Sequence, residues 1–348
     1  MAVAITLLDC DLMLFGRGHR TLDRFKLNDV TDDYLISVFG FPKQFIYYLV
    51  ELLGRSLCRP TQRSRAILPE TQILAALGFY TSGSFQNLVG SIIGISQASM
   101  SRCVADVTEA LVERASQLIC FPSTLPAQQE ITEEFFGVAR MPNVMGVVGC
   151  TQVAIKAPNP DLSYVNKKGC HSISCQLVCD AKGRILSVES HFPGSLQSSA
   201  VFQQSDVNKL FHDGVLKDGW LLGSSVYSLR KWLLTPLQIL ETPADYQYNM
   251  AHTATYSIME QVLTSLRSRF RCLDGSKGTL QYTPEKCGHI VVACCVLHNI
   301  ALQRGLELCT PEELVKQEQP EAEEYEPVDS IDTEAFHMRQ EFIQTHFS

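Results

Sequence analysis

Residues 144–158 read VMGVVGCTQVAIKAP, and this short apolar stretch decides the fold that the sequence predicts. Valines and a methionine dominate positions 144–148, the run breaks at Gly149, resumes at 153–155 and ends at Pro158. A run of this length is too short for a buried helix, and its β-branched side chains favour a strand. We therefore expect a strand that is covered on both faces within a mixed sheet.

The residues after this strand show first the pattern of strands and then that of helices. Positions 173–179 and 185–192 alternate on either side of a turn at 180–183, which predicts an antiparallel hairpin beside the first strand. Further elements are expected at 199–211 (helix), 220–223 (strand), 225–248 (irregular), 251–270 (helix) and 290–302 (buried helix). This order predicts a ribonuclease-H-like core with a mixed β-sheet over residues 141–305.

The region 1–140 has the period of helices, so the fold class predicted for the whole chain is α+β. A first helix is expected after Thr31, whose hydroxyl can cap it. A second helix is expected to end at Gly54, because glycine commonly follows the last turn of a helix. A third is expected to begin near Pro69.

Two short helices joined by a turn are predicted at about 84–114. Ser84 can cap a helix that ends at Ile93, and Ser96 can cap the next helix after a turn at Gly94. A second helix that begins with small polar residues is typical of the helix-turn-helix. The same spacing also fits a plain helical hairpin that packs in a bundle, and the sequence leaves both interpretations open.

In the helix-turn-helix interpretation, this region binds DNA. The polar residues that would face a DNA groove are Ser96, Gln97, Ser99 and Arg102. Arginines bind the phosphate backbone through their positive charge. The phosphate-binding candidates are Arg59, Arg63, Arg65 and Arg102.

The negative charge of the chain is concentrated near its C-terminal end. The 348 residues carry a net charge of -8, but 312–341 hold eleven acidic residues against Lys316 and Arg339. The other residues include 26 acidic and 27 basic ones, so the near-neutral body is compatible with nucleic-acid binding. We expect 306–348 to form an acidic, largely flexible tail, with a short amphipathic helix at 333–347 as the alternative for its end.

The cysteines and the apolar segments indicate a reduced compartment and no membrane span. Thirteen cysteines are scattered along the chain, which is typical of thiols in a nuclear or cytoplasmic protein. A zinc site at His171, Cys175 and Cys179 is disfavoured, because the pattern there is that of a strand and a second ligand pair is missing. Asp9 and Asp11 interrupt the apolar start, so neither a signal peptide nor a transmembrane helix is predicted.

Several segments, taken in order, resemble one known family. The sequence is similar over essentially its whole length to the harbinger transposase-derived nucleases, domesticated vertebrate relatives of PIF/Harbinger transposases. Each motif is weak alone, and the order and continuity of the motifs make the resemblance specific. The segments are LLDCDLMLFGRGHRTLDRFKL, FGFPKQFIYYLVELLG, RPTQRSRAI, LAALGFYTSGSFQ, GISQASMSRCVA, DLSYVNKKG, YNMAHTAT, RFRCLDGSKG, ACCVLHNI and the terminal THFS.

This resemblance implies a helix-turn-helix region followed by a DDE-type nuclease core of ribonuclease-H-like fold. Such a core binds Mg²⁺ or Mn²⁺ through three or four carboxylates from different elements, because hard cations prefer oxygen ligands. Two metal ions would activate a water and stabilise the leaving oxygen of a phosphodiester. The resemblance also implies DNA and a Myb/SANT-like DNA-binding protein as partners, and a location in nucleus and cytoplasm.

The acidic positions that the resemblance assigns to the core are mostly neutral in this sequence. They are occupied by Gly149 in GVVGC, Ser198 in PGSLQSSAV and Ser224 in LLGSS, and only Glu260 in SIMEQ is a carboxylate. A histidine that often follows the first acid is Gln152 here. Glycine has no ligand side chain, serine hydroxyls are poor substitutes, and a single carboxylate holds these ions weakly.

The sequence therefore leaves two functions open. The first is a metal-dependent nuclease with impaired phosphodiester hydrolysis, in which Asp180 or Glu189 supplies a missing carboxylate beside Glu260. The second is a non-catalytic protein that keeps the transposase scaffold and binds DNA or a partner, with Glu260 an ordinary exposed helix residue. The neutral positions favour the second function.

Overall fold

A computed structural model describes residues 25–58, 66–83, 86–158, 161–214, 216, 219–308 and 332–348. These residues form two compact units. The first unit contains the residues up to Phe79 and those of 86–105, and the second contains 80–83 and the residues from Asp106 onward. The predicted boundary at residue 140 differs from this division, because a helix at 125–139 packs against the sheet of the second unit.

The first unit is helical, as the sequence predicts. Thr31 caps the first helix, because its Oγ1 accepts a hydrogen bond from the Tyr34 N–H at 3.4 Å. The prediction that the second helix ends at Gly54 is wrong. Burial of Leu57 stabilises the extra turn by more than the roughly 1 kcal/mol that a helical glycine costs. The helices are α1 (Asp32–Phe39), α2 (Lys43–Leu57), α3 (Pro69–Ser82), α4 (Gln86–Ile93) and α5 (Gln97–Val112), and the last residues of α3 and α5 belong to the second unit.

The second unit is built on a mixed sheet of five strands. The strand order is β3-β2-β1-β4-β5, with β1–β2 and β2–β3 antiparallel and β1–β4 and β4–β5 parallel. This α+β arrangement is consistent with a ribonuclease-H-like core. The strands are β1 (Val144–Ala154), β2 (Ser172–Cys179), β3 (Ile185–Pro193), β4 (Trp220–Leu222) and β5 (Leu233–Leu234).

The central strand β1 is continuous over 11 residues and passes through Gly149, where the apolar run of the sequence is interrupted. Gly149 pairs with Leu177 of β2, and the ladder runs on to the pair Ala154 and Ser172. Cross-strand hydrogen bonds therefore hold the extended backbone through a position that lacks a side chain.

Helices cover both faces of the sheet, and alternate residues of β1 point to opposite faces. On one face, Val148 packs against a layer of two short helices that contains Phe202. Gly149 and Thr151 face a long helix on the other side. The first layer contains α8 (Ser198–Gln204) and α9 (Asp206–His212), and the second contains α10 (Pro243–Arg269) and α11 (Pro284–Gln303). Two further helices, α6 (Ala115–Leu118) and α7 (Leu125–Ala139), are not predicted from the sequence.

The predicted single helix at 199–211 is two helices, because Ser205 takes an extended conformation between them. Its backbone φ is -73° and its ψ is 151°, and its Oγ accepts a hydrogen bond from the Asn208 N–H. Serine favours such helix starts because its hydroxyl satisfies a free N–H of the first turn.

The long helix α10 begins eight residues earlier than predicted, because Pro243 starts the helix instead of breaking the chain. Proline suits the first helical position, since its missing N–H would have no helical partner there. Thr242 and Asp245 form a capping box: the Thr242 Oγ1 accepts from the Asp245 N–H, and the Asp245 Oδ2 accepts from the Thr242 N–H at 2.8 Å.

Helix α11 is the buried core helix of the second unit. By length and composition alone it could cross a membrane, but most of its apolar window is buried within the domain. Its Asn299 accepts a hydrogen bond from the Ile185 N–H and donates to the carbonyls of Ile185 and Leu118. This side chain thereby satisfies backbone groups at the start of β3.

The end of the chain forms α12 (Thr333–Phe347). Ala335, Ile343 and Phe347 are buried, and α12 packs against α10. The Phe342 ring contacts the Trp220 ring edge-to-face at 5.5 Å. The predicted flexible tail is therefore wrong for this segment, whereas the alternative helix at 333–347 is confirmed. Residues 309–331 lie outside the described part of the chain.

Candidate functional site

One face of α10 passes close to the end of β4 and to the middle of β1. His252, Tyr256 and Glu260 lie four residues apart, so they share this face. The His252 ring lies beside the carbonyls of Gly223 and Leu234, at the ends of β4 and β5. The rings of His252 and Tyr256 are stacked, with centroids 6.0 Å apart and an interplanar angle of 11°.

The space beside Gly149 is filled by α10. A Cβ atom placed on Gly149 would lie 2.6 Å from Met259 Cγ, 3.0 Å from Met259 Sδ and 3.6 Å from Tyr256 Oη. A side chain at this position would point between β1 and α10, toward Met259 and Tyr256. Met259 occupies the room that an aspartate would need.

The other acidic positions of the resemblance divide between the two faces of the sheet. Ser224 directly follows Gly223, whose carbonyl lies beside His252, and its own carbonyl accepts a hydrogen bond from the Tyr227 N–H. Glu260 is exposed on α10. Ser198 is buried at the start of α8, in the opposite layer. Positions 149 and 224 thus lie on the side of the sheet that α10 covers, and position 260 is on α10 itself. Position 198 lies in the layer on the other side of the sheet.

Neither Asp180 nor Glu189, the two acids considered as substitutes for the missing carboxylates, lies beside Gly149. Asp180 is buried in the hairpin turn, where its carboxylate accepts from the N–H groups of Lys182 and Arg184 and from the Arg184 guanidinium at 2.9 Å. Burial raises the pKa of Asp180 despite these contacts. Its oxygens are used within the turn.

Glu189 lies on the wrong face of the sheet. It pairs with Gln176, which pairs with Cys150, so it belongs to the face opposite Gly149. Its carboxylate accepts a hydrogen bond from the Asp206 N–H at the start of α9, and burial raises its pKa.

The residues present do not fit a DDE metal centre. Within the described ranges, no three His, Cys, Asp or Glu side chains are grouped so that they could hold a metal ion. Gln152, at the histidine position, is hydrogen-bonded to the hydroxyls of Ser172 and Ser174. Cys175 and Cys179 lie four residues apart on β2, roughly 13 Å along the strand, which is too far to share a zinc ion.

Three residues at this face received no role in the sequence analysis. Burial lowers the pKa of His252 to about 4, so its ring is neutral at pH 7. The Arg267 guanidinium donates to the Thr151 hydroxyl at 2.5 Å, and burial lowers its pKa. Tyr256 lies next to Gly149. His252 and Tyr256 precede Glu260 by eight and four residues, which places all three on one side of a helix. This spacing could have identified His252 and Tyr256 from the sequence.

The residues proposed to contact DNA lie mainly on α5. Ser96 caps this helix, because its Oγ accepts from the Ser99 N–H at 3.3 Å, and the two hydroxyls are also hydrogen-bonded. Gln97 and Arg102 are exposed, and Ser99 is partly exposed. A DNA-binding role for these residues stays a prediction. The phosphate-binding candidates Arg59, Arg63 and Arg65 lie outside the described residues.

Comparisons with known proteins identify the family. Residues 148–299 match the family described as "DDE superfamily endonuclease". "Putative nuclease HARBI1" is 64% identical in Homo sapiens and 61% identical in Xenopus laevis, and in both cases all of this chain and all of the relative are covered. "Protein ALP1-like" of Arabidopsis thaliana is 26% identical over 66% of this chain and 60% of its own length. No solved structure matches the chain significantly. The chain therefore belongs to the family of domesticated Harbinger transposase-derived nucleases, and its core belongs to the DDE superfamily endonucleases.

Proposed function

We propose that this chain keeps the scaffold of a DDE nuclease, has lost metal-dependent phosphodiester hydrolysis, and acts by binding DNA. The observation that carries the proposal is Gly149, where the family's first carboxylate is absent and Met259 occupies its space. The carboxylate that would bind a metal ion is missing at this position, and the space for its side chain is filled as well. Both observations support the loss of the metal site. Glu260 is the acidic residue that remains at a family position.

The chemistry of the family explains why this loss is decisive. When bound between carboxylates, divalent metal ions supply the activated water and the charge stabilisation that phosphodiester hydrolysis needs. Here Glu260 is the one carboxylate assigned to this face, and its neighbours His252, Tyr256, Met259 and Arg267 offer a neutral imidazole, a phenol, a thioether and a cation. These neighbouring side chains can contact the phosphate backbone of DNA, but they do not form a binding site for metal cations.

Binding of DNA would then be the retained function. Helices α4 and α5 are joined by a short turn, and α5 exposes Gln97 and Arg102 near its start, which is compatible with groove or phosphate contacts. A Myb/SANT-like protein is the partner we propose for target choice, and the proposed location is nucleus and cytoplasm.

The proposal predicts that the purified protein binds no Mn²⁺ and does not nick DNA. Calorimetric titration with Mn²⁺ is expected to give no saturable heat, and supercoiled plasmid with Mg²⁺ or Mn²⁺ is expected to stay intact. Glu260→Ala is the matched control, and it should behave like the wild type. Nicking that disappears in Glu260→Ala would establish the competing function, a nuclease completed by carboxylates other than those assigned.

A second prediction concerns the DNA-binding role of α5. Arg102→Ala is expected to weaken duplex binding and to reduce the slope of log K against log salt by about 1, because one phosphate contact is lost. Fluorescence anisotropy with a labelled duplex at several salt concentrations measures both. Arg55→Ala removes an exposed arginine from α2 of the same unit and serves as control. Equal behaviour of the two variants would favour the plain helical hairpin.

A further inference from the structure

We propose that the second unit pairs with a second copy of itself through the outer face of α10, in an antiparallel dimer with two-fold symmetry. This inference goes beyond the proposed function and does not depend on the binding of DNA. We call the contact surface the α10 seam. It consists of residues that follow one another at alternating steps of four and three positions: Tyr246, Met250, Thr253, Ser257, Glu260 and Thr264.

The α10 seam has the spacing of a contact line between two packed helices. Alternating steps of four and three residues keep side chains on one side of a helix, and this repeat is typical of helices that pair along their length. The seam is not used within the second unit. Met259 of α10 lies against β1 and Tyr248 contacts the rings of α12, whereas Tyr246, Met250 and Thr253 are exposed.

The first half of the α10 seam presents large apolar side chains to solvent. Tyr246 is 56% exposed and Met250 is 74% exposed. Ile239, which is 75% exposed, belongs to a segment that runs beside the first turns of α10, where the Leu237 N–H donates to the Asn249 Oδ1 at 2.8 Å. Exposed apolar side chains that cluster in this way mark surfaces of protein–protein contact.

The exposed face of α10 also lacks the charges that are usual on the outer face of a helix. Residues 246–259 contain no Asp, Glu, Lys or Arg. The Ser257 hydroxyl donates to the Ala254 carbonyl of its own helix at 2.8 Å, so it is satisfied without water. By contrast, α7 of the same unit carries three glutamates in 15 residues. Charged residues are depleted at the centre of protein interfaces, so the composition of this face favours contact with protein.

The order of large and small side chains along the α10 seam favours a second copy as the occupant. Tyr246 and Met250 are large, and Thr253 and Ser257 are small. When a second α10 lies antiparallel, with the two-fold axis between positions 250 and 253, Tyr246 packs on Ser257 of the copy and Met250 packs on Thr253 of the copy. The symmetry repeats both contacts, so the surface is complementary to itself. In a parallel pair, large side chains would meet large ones.

The length of the paired part predicts a weak dimer. Residues 246–257 span about 17 Å at a rise of 1.5 Å per residue. Glu260, the charged member of the seam, falls beyond this part, so its carboxylate stays in water. A single pair of helices of this length buries less than the roughly 800 Å² per partner of a standard interface, and a dissociation constant in the micromolar range is expected.

Sedimentation velocity of the full-length protein in reducing buffer, from about 1 to 200 µM, tests the dimer. Tyr246→Lys, Met250→Lys is expected to raise the dissociation constant at least about 20-fold, because it places charges in a contact that excludes water. Leu125→Lys, Val138→Lys puts the same charges on exposed apolar positions of α7 and should dimerise like the wild type. Thermal unfolding checks that both variants are folded. A wild type that stays monomeric, or equal behaviour of the two variants, would overturn the inference.

A charge pair across the two-fold axis tests the antiparallel register. Tyr246→Lys alone should weaken the dimer, and Tyr246→Lys, Ser257→Glu should regain at least about tenfold in affinity, because each lysine meets the glutamate of the copy. Within one chain the two positions lie roughly 17 Å apart along α10, too far to pair. The regained affinity should disappear at high salt, where such a pair is screened. A double variant that dimerises no better than Tyr246→Lys would show that the α10 seam is not paired in this way, and the inference would be wrong.

Discussion

Restoring two carboxylates beside α10 is expected to create a Mn²⁺ site when Met259 is shortened at the same time. The variant is Gly149→Asp, Ser224→Asp, Met259→Ala, which would join two new aspartates to Glu260. Position 149 lies beside Met259 and Tyr256 of α10, position 224 follows Gly223, which lies beside His252 of the same helix, and Met259 fills the space at 149. Three carboxylate groups around one space satisfy the preference of hard cations for oxygen.

The size of the effect follows from ligand linkage. At a Mn²⁺ concentration about 100 times the dissociation constant, a site of the folded state alone raises the free energy of unfolding by roughly 2.7 kcal/mol. Thermal unfolding with and without Mn²⁺ measures this shift, and calorimetry should show saturable binding where the wild type shows none. Adding Ser198→Asp is expected to bring no further gain, because Ser198 is buried in the opposite layer.

Two controls make the restoration specific. Gly149→Asp, Ser224→Asp without the Met259 change should bind Mn²⁺ more weakly, because an aspartate Cβ would lie 2.6 Å from Met259 Cγ until that side chain moves. Glu260→Ala in the restored background should abolish binding. Stabilisation by Mn²⁺ that is indifferent to both changes would mean that the ion binds elsewhere, and the assignment of this face would be wrong.

The parts of the fold that the sequence predicted are those with strong local patterns. The alternation around residues 180–183 placed the hairpin, and Thr31 and Ser96 marked helix starts that the structure confirms. β5 has two residues, too few for a pattern. Pro243 was misjudged, because proline both breaks chains and starts helices, and tertiary context decides which.

The candidate site was less predictable than the fold. The resemblance supplied positions 149, 224 and 260, but only the register of β1 shows that Gly149 faces α10 and that Glu189 does not. No pattern in one sequence states that Met259 fills the space of a missing side chain. That fact depends on the packing of two residues that lie 110 positions apart in the sequence.

Acid is expected to destabilise this protein through two buried histidines. Burial lowers the pKa of His252 and of His298 to about 4, with nearby Arg339 and Arg269 acting in the same direction. Unfolded histidine has a pKa of about 6.5. Between these values the unfolded state binds more protons than the folded state, so the free energy of unfolding falls as the pH falls from about 6.5 toward 4.

The loss reaches about 3 kcal/mol per histidine near pH 4, since one pKa unit corresponds to about 1.4 kcal/mol. Urea unfolding at pH 7, 6, 5 and 4.5 measures it, and the double variant His252→Gln, His298→Gln should show a shallower decline than the wild type over this range. His212→Gln, His337→Gln removes two exposed histidines and should keep the wild-type profile. Identical profiles for all three proteins would show that the buried imidazoles take up no protons on unfolding, and that carboxylates alone set the acid sensitivity.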